Sequence, residues 1–353
     1  MNRRWIFSGQ AHPALAQEVA HCAGIAVGQA EISRFPDGEL SVQIREDVRD
    51  DYIFVVQPLH SSEAIIELLL LANALKHCQP RRLVLMIPYY GYGRQERRTG
   101  QSSIGAQVIA DVVSQSGADA IVTLDLHAPI ISSFITSPHL ELSCASLFAS
   151  HIRHQVPDSK PIVVVSPDQG GIGRANRLNA ALSNNQPVFA LEKTRLGPAH
   201  CLITTRGQSQ DFRGKHAILV DDIVSTGGTL IQAAQRLAEL GAESIWACVT
   251  HLVASPDSLV QRLDDSPIER LLVSNSVPKP EIPTKSRIQK LSLAPLLTPV
   301  VLDLGQSSKM RTWGRFLPQR LLPASFLPGR QIHTCSPDLP HSEVSLAARI
   351  SQI

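Results

Sequence analysis

Apolar residues in this chain collect into short unbroken runs, separated by longer stretches with a helical repeat. WIFS (5–8), YIFVVQ (52–57), RLVLMIP (82–88), AIVTLDLH (120–127), PIVVVSPDQGG (161–171) and HAILV (216–220) are brief and continuously apolar, the pattern of strands buried on both faces of a parallel sheet. Helices are predicted over Ala14 to Ala23, residues 63–77, Ala106 to Ser116 and LIQAAQRLAEL (230–240). Strand and helix alternate, which predicts an α/β fold with mainly parallel sheets flanked by helices. A further strand near Gln29 to Ser33 leads into RFPDGELSVQI, where Pro-Asp-Gly turn chemistry and the alternation after it predict an exposed hairpin tip at Asp37, Gly38 and Glu39.

Two segments share a frame. GADAIVTLDLH from Gly117 and GAESIWACVTH from Gly241 each follow a helix and end in His after eleven residues, which points to duplicated halves. VFALEKTRLGPAH (188–200) begins as a strand and loses its period, so Lys193 and Arg195 are assigned to a loop that returns by a hairpin through CLITTR. IQKLSLAPLL (288–297) reads as a helix of the second half. Of the 24 prolines, 10 lie at or beyond Pro278, and no period is sustained from about Gly305, so 305–353 is expected to be a loosely ordered appendage. The expected divisions are 1–145, 146–304 and 305–353.

At 353 residues with 43% hydrophobic content, the chain has material for two cores. A formal net charge of +2 gives no general attraction to nucleic acid or a membrane surface. The six cysteines form no CxxC pair, against a zinc site or a redox dithiol. MNRRWIFSGQ lacks the apolar core of a leader, and AIIELLLLANAL from Ala64 is interrupted by Glu67 and too short to span a bilayer. A cytoplasmic protein is expected.

The chemistry concentrates at strand ends. HAILVDDIVSTGGT (216–229) reads as a buried strand that stops at Asp221 and Asp222, followed by Ser225, Thr226, Gly227, Gly228 and Thr229 at the start of a helix. Small residues let backbone N–H groups crowd an anion, while carboxylates accept from hydroxyls or hold a divalent cation through its waters, the two needs of a sugar phosphate. No Gly-Lys-Ser/Thr follows, so this is not a Walker loop. YYGYGRQERR (89–98) sets tyrosines and glycines beside Arg94, Gln95, Arg97 and Arg98, offering stacking faces and guanidinium forks to a nucleoside triphosphate. Asp125 and His127 alternate at a strand end, either as a metal or phosphate contact or as structural groups. Asp168 and its Gly pair reach the same edge of the second sheet. Lys193 and Arg195 either clamp a polyphosphate on a flap made mobile by the following Gly-Pro or stand on a solvated hairpin.

The 216–229 stretch resembles the phosphoribosyl diphosphate binding motif shared by phosphoribosyltransferases and ribose-phosphate diphosphokinases. FPDGE, PYYGYGRQERR, TLDLHA, VVVSPDQGG, LEKTR and VDDIVSTGGT together resemble the ribose-phosphate diphosphokinase family in order and spacing, from about Ile6 to Leu297. That resemblance implies two duplicated phosphoribosyltransferase-like domains, each a mainly parallel sheet flanked by helices. It implies a nucleotide site of Phe35, Asp37, Gly38 and Glu39 from a neighbouring subunit with Arg94 and Gln95, and metal or metal-water contacts at His127 and Asp168. Lys193 and Arg195 would belong to a catalytic flexible loop, with Arg195 also touching the ribose substrate. Asp221 and Asp222 would hold ribose hydroxyls, and Ser225 to Thr229 the 5-phosphate. The implied partners are ATP, ribose 5-phosphate and Mg2+, in dimers that often build hexamers. Ser225 stands where many bacterial relatives carry a third aspartate, closer to archaeal-type members, and 305–353 has no counterpart. Two rivals are a phosphoribosyltransferase, which predicts a base-recognising hood in place of FPDGE and GRQERR, and a silent regulatory subunit, which predicts damage at Lys193, Arg195, Asp221 or Asp222.

Overall fold

Every segment whose apolar run is short and β-branched forms a strand, and the helices fill the gaps between them. The computed structural model describes residues 2–157, 159–195, 201–205, 212–278 and 282–304. The first half runs β1 (Arg4–Ser8), α1 (Pro13–Ala23), β2 (Ala26–Val27), β3 (Ala30–Arg34), β4 (Leu40–Ile44), β5 (Tyr52–Val56), α2 (Ser62–His77), β6 (Arg82–Ile87), α3 (Gly105–Ser114), β7 (Ala120–Leu124), α4 (Ile130–Phe134) and β8 (His139–Leu142). The second runs α5 (Ala145–Gln155), β9 (Ile162–Ser166), α6 (Ile172–Ala181), β10 (Phe189–Arg195), β11 (Cys201–Thr205), β12 (His216–Val224), α7 (Gly228–Glu239), β13 (Ser244–Leu252), α8 (Pro256–Asp264), β14 (Arg270–Ser274), β15 (Ile288–Leu291) and α9 (Ala294–Leu304).

The first sheet, in order β2-β1-β5-β6-β7-β8, is parallel throughout. The second, β11-β10-β9-β12-β13-β14-β15, is parallel except for the β10–β11 edge. Without β11 the two orders are the same, with β1 matching β9, β5 matching β12 and β6 matching β13. The halves are therefore duplicated in topology. The repeated eleven-residue frame, however, links β7 to β13, strands of different place: β13 corresponds to β6, and β7 to β14. A buried parallel strand after a helix reads alike wherever it sits in the sheet.

Alternate residues of each strand enter different cores. Ile6, Phe54, Val84 and Val122 share one cluster with Val164, Ile218, Trp246 and Leu272, and with α1, α5, α6 and α9 between the sheets. Phe7, Ile53, Leu85 and Ile121 face α2, α3 and α4 on one outer side; Val165, Leu219, Ala247 and Leu271 face α7 and α8 on the other. Five layers result, and the middle helical layer serves both sheets. In the second sheet the chain leaves β9 through α6 on the inner face and β12 through α7 on the outer face. The strand order reverses between β9 and β12, the place where open α/β sheets bind ligands.

Three expectations are corrected. The strand expected to stop at Asp221 and Asp222 continues through the acidic pair to Val224, because Ile223 and Val224 still pair with His251 and Leu252. Lys193 and Arg195 lie in β10, facing Ile203 and Cys201 in an antiparallel ladder, so cross-strand pairing extends a segment whose pattern had lapsed. Ile288–Leu291 is an edge strand on β14, not a helix, and α9 begins at Ala294, where Ser292 Oγ accepts from the Ala294 N–H and Pro295 occupies the first turn. Pro299 inside α9 costs about 3 kcal/mol, but burying Leu297, Val300 and Val301 contributes roughly 1.5–3 kcal/mol each. Residues 305–353 lie outside the described residues.

Candidate active site

The carboxyl ends of both sheets face one cavity of about 270 Å³. The first half supplies the β5–α2 loop (Leu59 to Ser62), the turn after β6 (Tyr89 to Gln95) and the end of β7 with Leu126 and His127; the second supplies Asp222, Ile223 and His251. Gly91 is required here by space, since a Cβ would stand 2.0 Å from the Leu59 carbonyl oxygen. Ser61 caps α2, accepting from the Ala64 N–H at 3.1 Å, so that helix starts at the cavity. Arg94 and Gln95 are exposed at its rim, and the Tyr92 and Ser62 hydroxyls meet at 2.8 Å.

The joint between the sheets is ionic. His127 Nδ1 lies 2.7 Å from Asp222 Oδ2, and Arg174 Nη2 lies 3.3 Å from Asp222 Oδ1 and donates to the His127 carbonyl at 3.4 Å. Arg174 Nη1 is 3.7 Å from Asp221 Oδ1, and the residue is only 8% exposed. Burial and the neighbouring Asp222 charge push the Asp221 carboxyl up to about 7. Burial also opposes ionisation of Asp222, yet the His127 hydrogen bond and Arg174 outweigh it and hold that carboxyl below its usual range. The same hydrogen bond raises the His127 imidazole against its burial. His251, packed edge-on to Tyr89 with centroids 5.1 Å apart, is lowered by burial.

Gly227 adopts φ +74° as the N-cap of α7, where a Cβ would come 2.8 Å from Leu259 Cδ1, and a residue with a side chain would be strained twice over. Ser225 and Thr226 are exposed before it, and Gly228 and Thr229 open the helix, so Ser225 to Thr229 turn the chain from the end of β12 into the N-terminus of α7. Asp168 follows β9, adjacent to β12; it is exposed and its Oδ1 accepts from the Gly171 N–H at 3.1 Å.

His127, Asp222, Arg94 and Gln95 thus converge on the cavity, while Phe35, Asp37, Gly38 and Glu39 are not among its lining residues. These four form the β3–β4 hairpin tip, with Phe35 56% exposed and Gly38 at φ +94°. The hairpin is tied to the start of its own α2 by Arg34 and Glu63. Side chains of Lys193 and Arg195 lie outside the described residues. The strand-face reading of Asp125 and His127 also needs correction: β7 ends at Leu124, Asp125 turns with φ +36° into the joint, and His127 turns to the cavity.

Sequence reasoning missed Arg174 and saw His251 only as the end of a repeated frame, whereas Tyr89 lay in the stretch read as stacking faces. The signal for Arg174 was indirect: two adjacent carboxylates on a buried strand call for a cation. Among the described residues no three His, Cys, Asp or Glu side chains form a metal cage, and no helix is long and apolar enough to cross a membrane.

A family model for the N-terminal domain of ribose phosphate pyrophosphokinase matches residues 5–117, and one for the phosphoribosyl transferase domain matches 132–270. The chain is 37% identical over 300 residues to a ribose-phosphate pyrophosphokinase of Bacillus caldolyticus, covering 84% of this chain and 93% of that protein. It is 36% identical over 304 residues to one from Caldanaerobacter subterraneus subsp. tengcongensis, covering 85% and 94%. The solved phosphoribosylpyrophosphate synthetase of Mycobacterium smegmatis superposes with a TM-score of 0.75 at 31% identity, covering 86% of this chain and 99% of that one.

Proposed function

The chain belongs to the ribose-phosphate pyrophosphokinase family, and on that premise we propose that it transfers the β,γ-diphosphoryl group of MgATP to the 1-hydroxyl of ribose 5-phosphate. The hydroxyl oxygen bonds to the β-phosphorus, the bond from that phosphorus to the α,β-bridging oxygen breaks, and AMP leaves with the bridging oxygen. The hydroxyl proton is lost to solvent. The observation that carries this reading is the His127–Asp222 contact, which sets the cavity bearing Arg94 and Gln95 directly against the acid pair.

Positioning and charge neutralisation supply most of the catalysis in phosphoryl-type transfer. Asp221 and Asp222 accept from the ribose hydroxyls, and Ser225 to Thr229 take the 5-phosphate at the α7 N-terminus. Arg94 and Gln95 hold the nucleotide. Phe35, Asp37, Gly38 and Glu39 complete that site from a neighbouring subunit, in keeping with their absence from this chain's own cavity lining. The working form is therefore a dimer or hexamer. Lys193 and Arg195, on the hairpin beside β9, close over the polyphosphate, and Arg195 also meets the ribose substrate. Divisions near residues 145 and 304 separate the nucleotide and ribose halves from the tail, and the protein works in the cytoplasm, feeding nucleotide synthesis.

Magnesium fits this donor set as part of the substrate. It retains waters and takes one or two carboxylates plus phosphate oxygens, and here Asp168 is exposed and Asp221 is a half-buried carboxyl beside a second carboxylate. When bound it neutralises charge on the phosphate oxygens, with His127 and Asp168 meeting it or its waters.

Phosphorus NMR of purified protein with MgATP, with and without ribose 5-phosphate, tests the reading. Ribose-dependent AMP together with a sugar-linked diphosphate is expected. Saturable ATP binding with no product would overturn it.

A further inference from the structure

Contacts made by His127 and contacts made by Asp125 both hold the turn after β7 to the second sheet, and only the His127 contact belongs to the site already described. His127 meets Asp222 of β12. Two residues earlier Asp125, 1% exposed, accepts a hydrogen bond on Oδ2 from Thr250 Oγ1 of β13 at 2.7 Å. The ladder pairs Asp221 with Val249 and Ile223 with His251, so Asp222 and Thr250 stand opposite each other. Neighbouring positions on two strands of one sheet therefore grip a single turn of the other.

Asp125 is fully engaged. Oδ2 also accepts from the Cys144 N–H at 2.9 Å, Oδ1 lies 3.4 Å from Arg177 Nη2, and its own N–H donates to the Leu142 carbonyl at 2.9 Å. Its carbonyl is 3.3 Å from His251 Nε2, and the Ser276 hydroxyl is 2.8 Å from His251 Nδ1. A carbonyl only accepts, so Nε2 carries the ring proton and Nδ1 accepts from Ser276. The Thr250 carbonyl accepts in turn from the Ser274 hydroxyl at 2.6 Å, which stiffens the end of β13. At φ +36° Asp125 occupies a left-handed conformation that a non-glycine residue keeps only where its surroundings impose it.

We propose that Asp125 is a positioning residue: gripped by Thr250, Cys144, Arg177 and His251, it holds the β7 turn in the strained conformation that aims His127 at Asp222, and it touches no substrate. Its carboxylate is 1% exposed within the joint and already meets Thr250, Cys144 and Arg177. The effect on turnover rests on the proposed reaction; the effect on His127 does not.

The test uses the full chain, labelled with 15N-histidine, in wild type, Thr250→Val, Asp125→Asn and Thr250→Ser. The His127 ring signals are assigned by their loss in His127→Asn. In Thr250→Val and Asp125→Asn the His127 Nδ1 resonance shifts as the Asp222 contact loosens. Turnover falls on the order of 10–100-fold with KM for both substrates within about twofold, since misplacement of a reacting group acts on kcat. Thr250→Ser keeps the hydroxyl and restores both. Should Thr250→Val fail to fold, Asp125→Asn and Thr250→Ser carry the test. A His127 resonance that stays in place in the folded variants overturns the proposal, whatever the melting temperature does. The resonance reads the Asp222 contact even in a protein that makes no phosphoribosyl diphosphate.

Discussion

At Asp221 and Asp222 two carboxylates occupy adjacent residues of a buried strand, where mutual repulsion and lost hydration both act against folding. The Arg174 guanidinium and the His127 proton offset this for Asp222, and Asp221 bears the remainder. A carboxyl raised in the folded state leaves stability fully present below its unfolded value, about 3.9, and lost as pH rises through about 7. Asp221→Asn should therefore be more stable than wild type in urea at pH 8, with the gain fading toward pH 4, and should bind ribose 5-phosphate more weakly. A variant no more stable at pH 8 would show that Arg174 already compensates the pair. In the proposed reaction Lys193 acts on the other partner, the nucleotide. As a preorganised cation on transferring phosphates, its loss in Lys193→Ala should reduce kcat on the order of 10²–10³-fold. Near-normal turnover with only weaker nucleotide binding would remove it from the catalytic set.

The elements succeed or fail by how closely backbones approach. The turn after β6 passes against the β5–α2 loop at Gly91, with Leu59 N–H donating to the Tyr89 carbonyl at 2.8 Å. Gly91→Ala should force these walls of the cavity apart, lowering stability by about 1–3 kcal/mol as an overpacked site and weakening ATP binding more than ribose 5-phosphate binding. Calorimetric titration with each substrate reads the difference, and equal losses would mean that the cavity is not the nucleotide site. Most strands and long helices were legible in the chain because their runs carry a clear period, and the hairpin tip at Asp37 to Glu39 because Pro-Asp-Gly dictates a turn. Lys193, Arg195 and Ile288–Leu291 were misassigned where pairing with a neighbouring strand outweighed local pattern.

At the scale of the molecule, the two sheets share one middle core, so each half depends on the other for burial. Shielded histidines lie in both sheets: half-buried His139 in β8 and buried His216 in β12 are each lowered by desolvation to about 4. A base lowered by folding leaves stability complete above its unfolded value, about 6.5, and lost as pH falls from there toward 4. Melting temperature should drop across that window. His216, 4% exposed and packed edge-on against Trp246, should contribute roughly 2–3 kcal/mol of the loss. His216→Phe should flatten part of the profile, and an unchanged profile would place the acid sensitivity elsewhere. Both sheets should unfold in a single calorimetric transition; two separated transitions would show that the shared core does not couple them.

By itself the sequence determined the α/β class, the duplicated plan, the acid pair with its anion turn and the family. These depend on local period, turn chemistry and motif order, all of which are written along the chain. Only the tertiary structure decided that Arg174 meets the pair, that Asp125 faces the joint while His127 faces the cavity, and that Thr250 and Asp222 hold two residues of one turn. Those relations join residues from 47 to 125 positions apart, and their energies come from burial and distance in space, to which spacing along the chain gives no access.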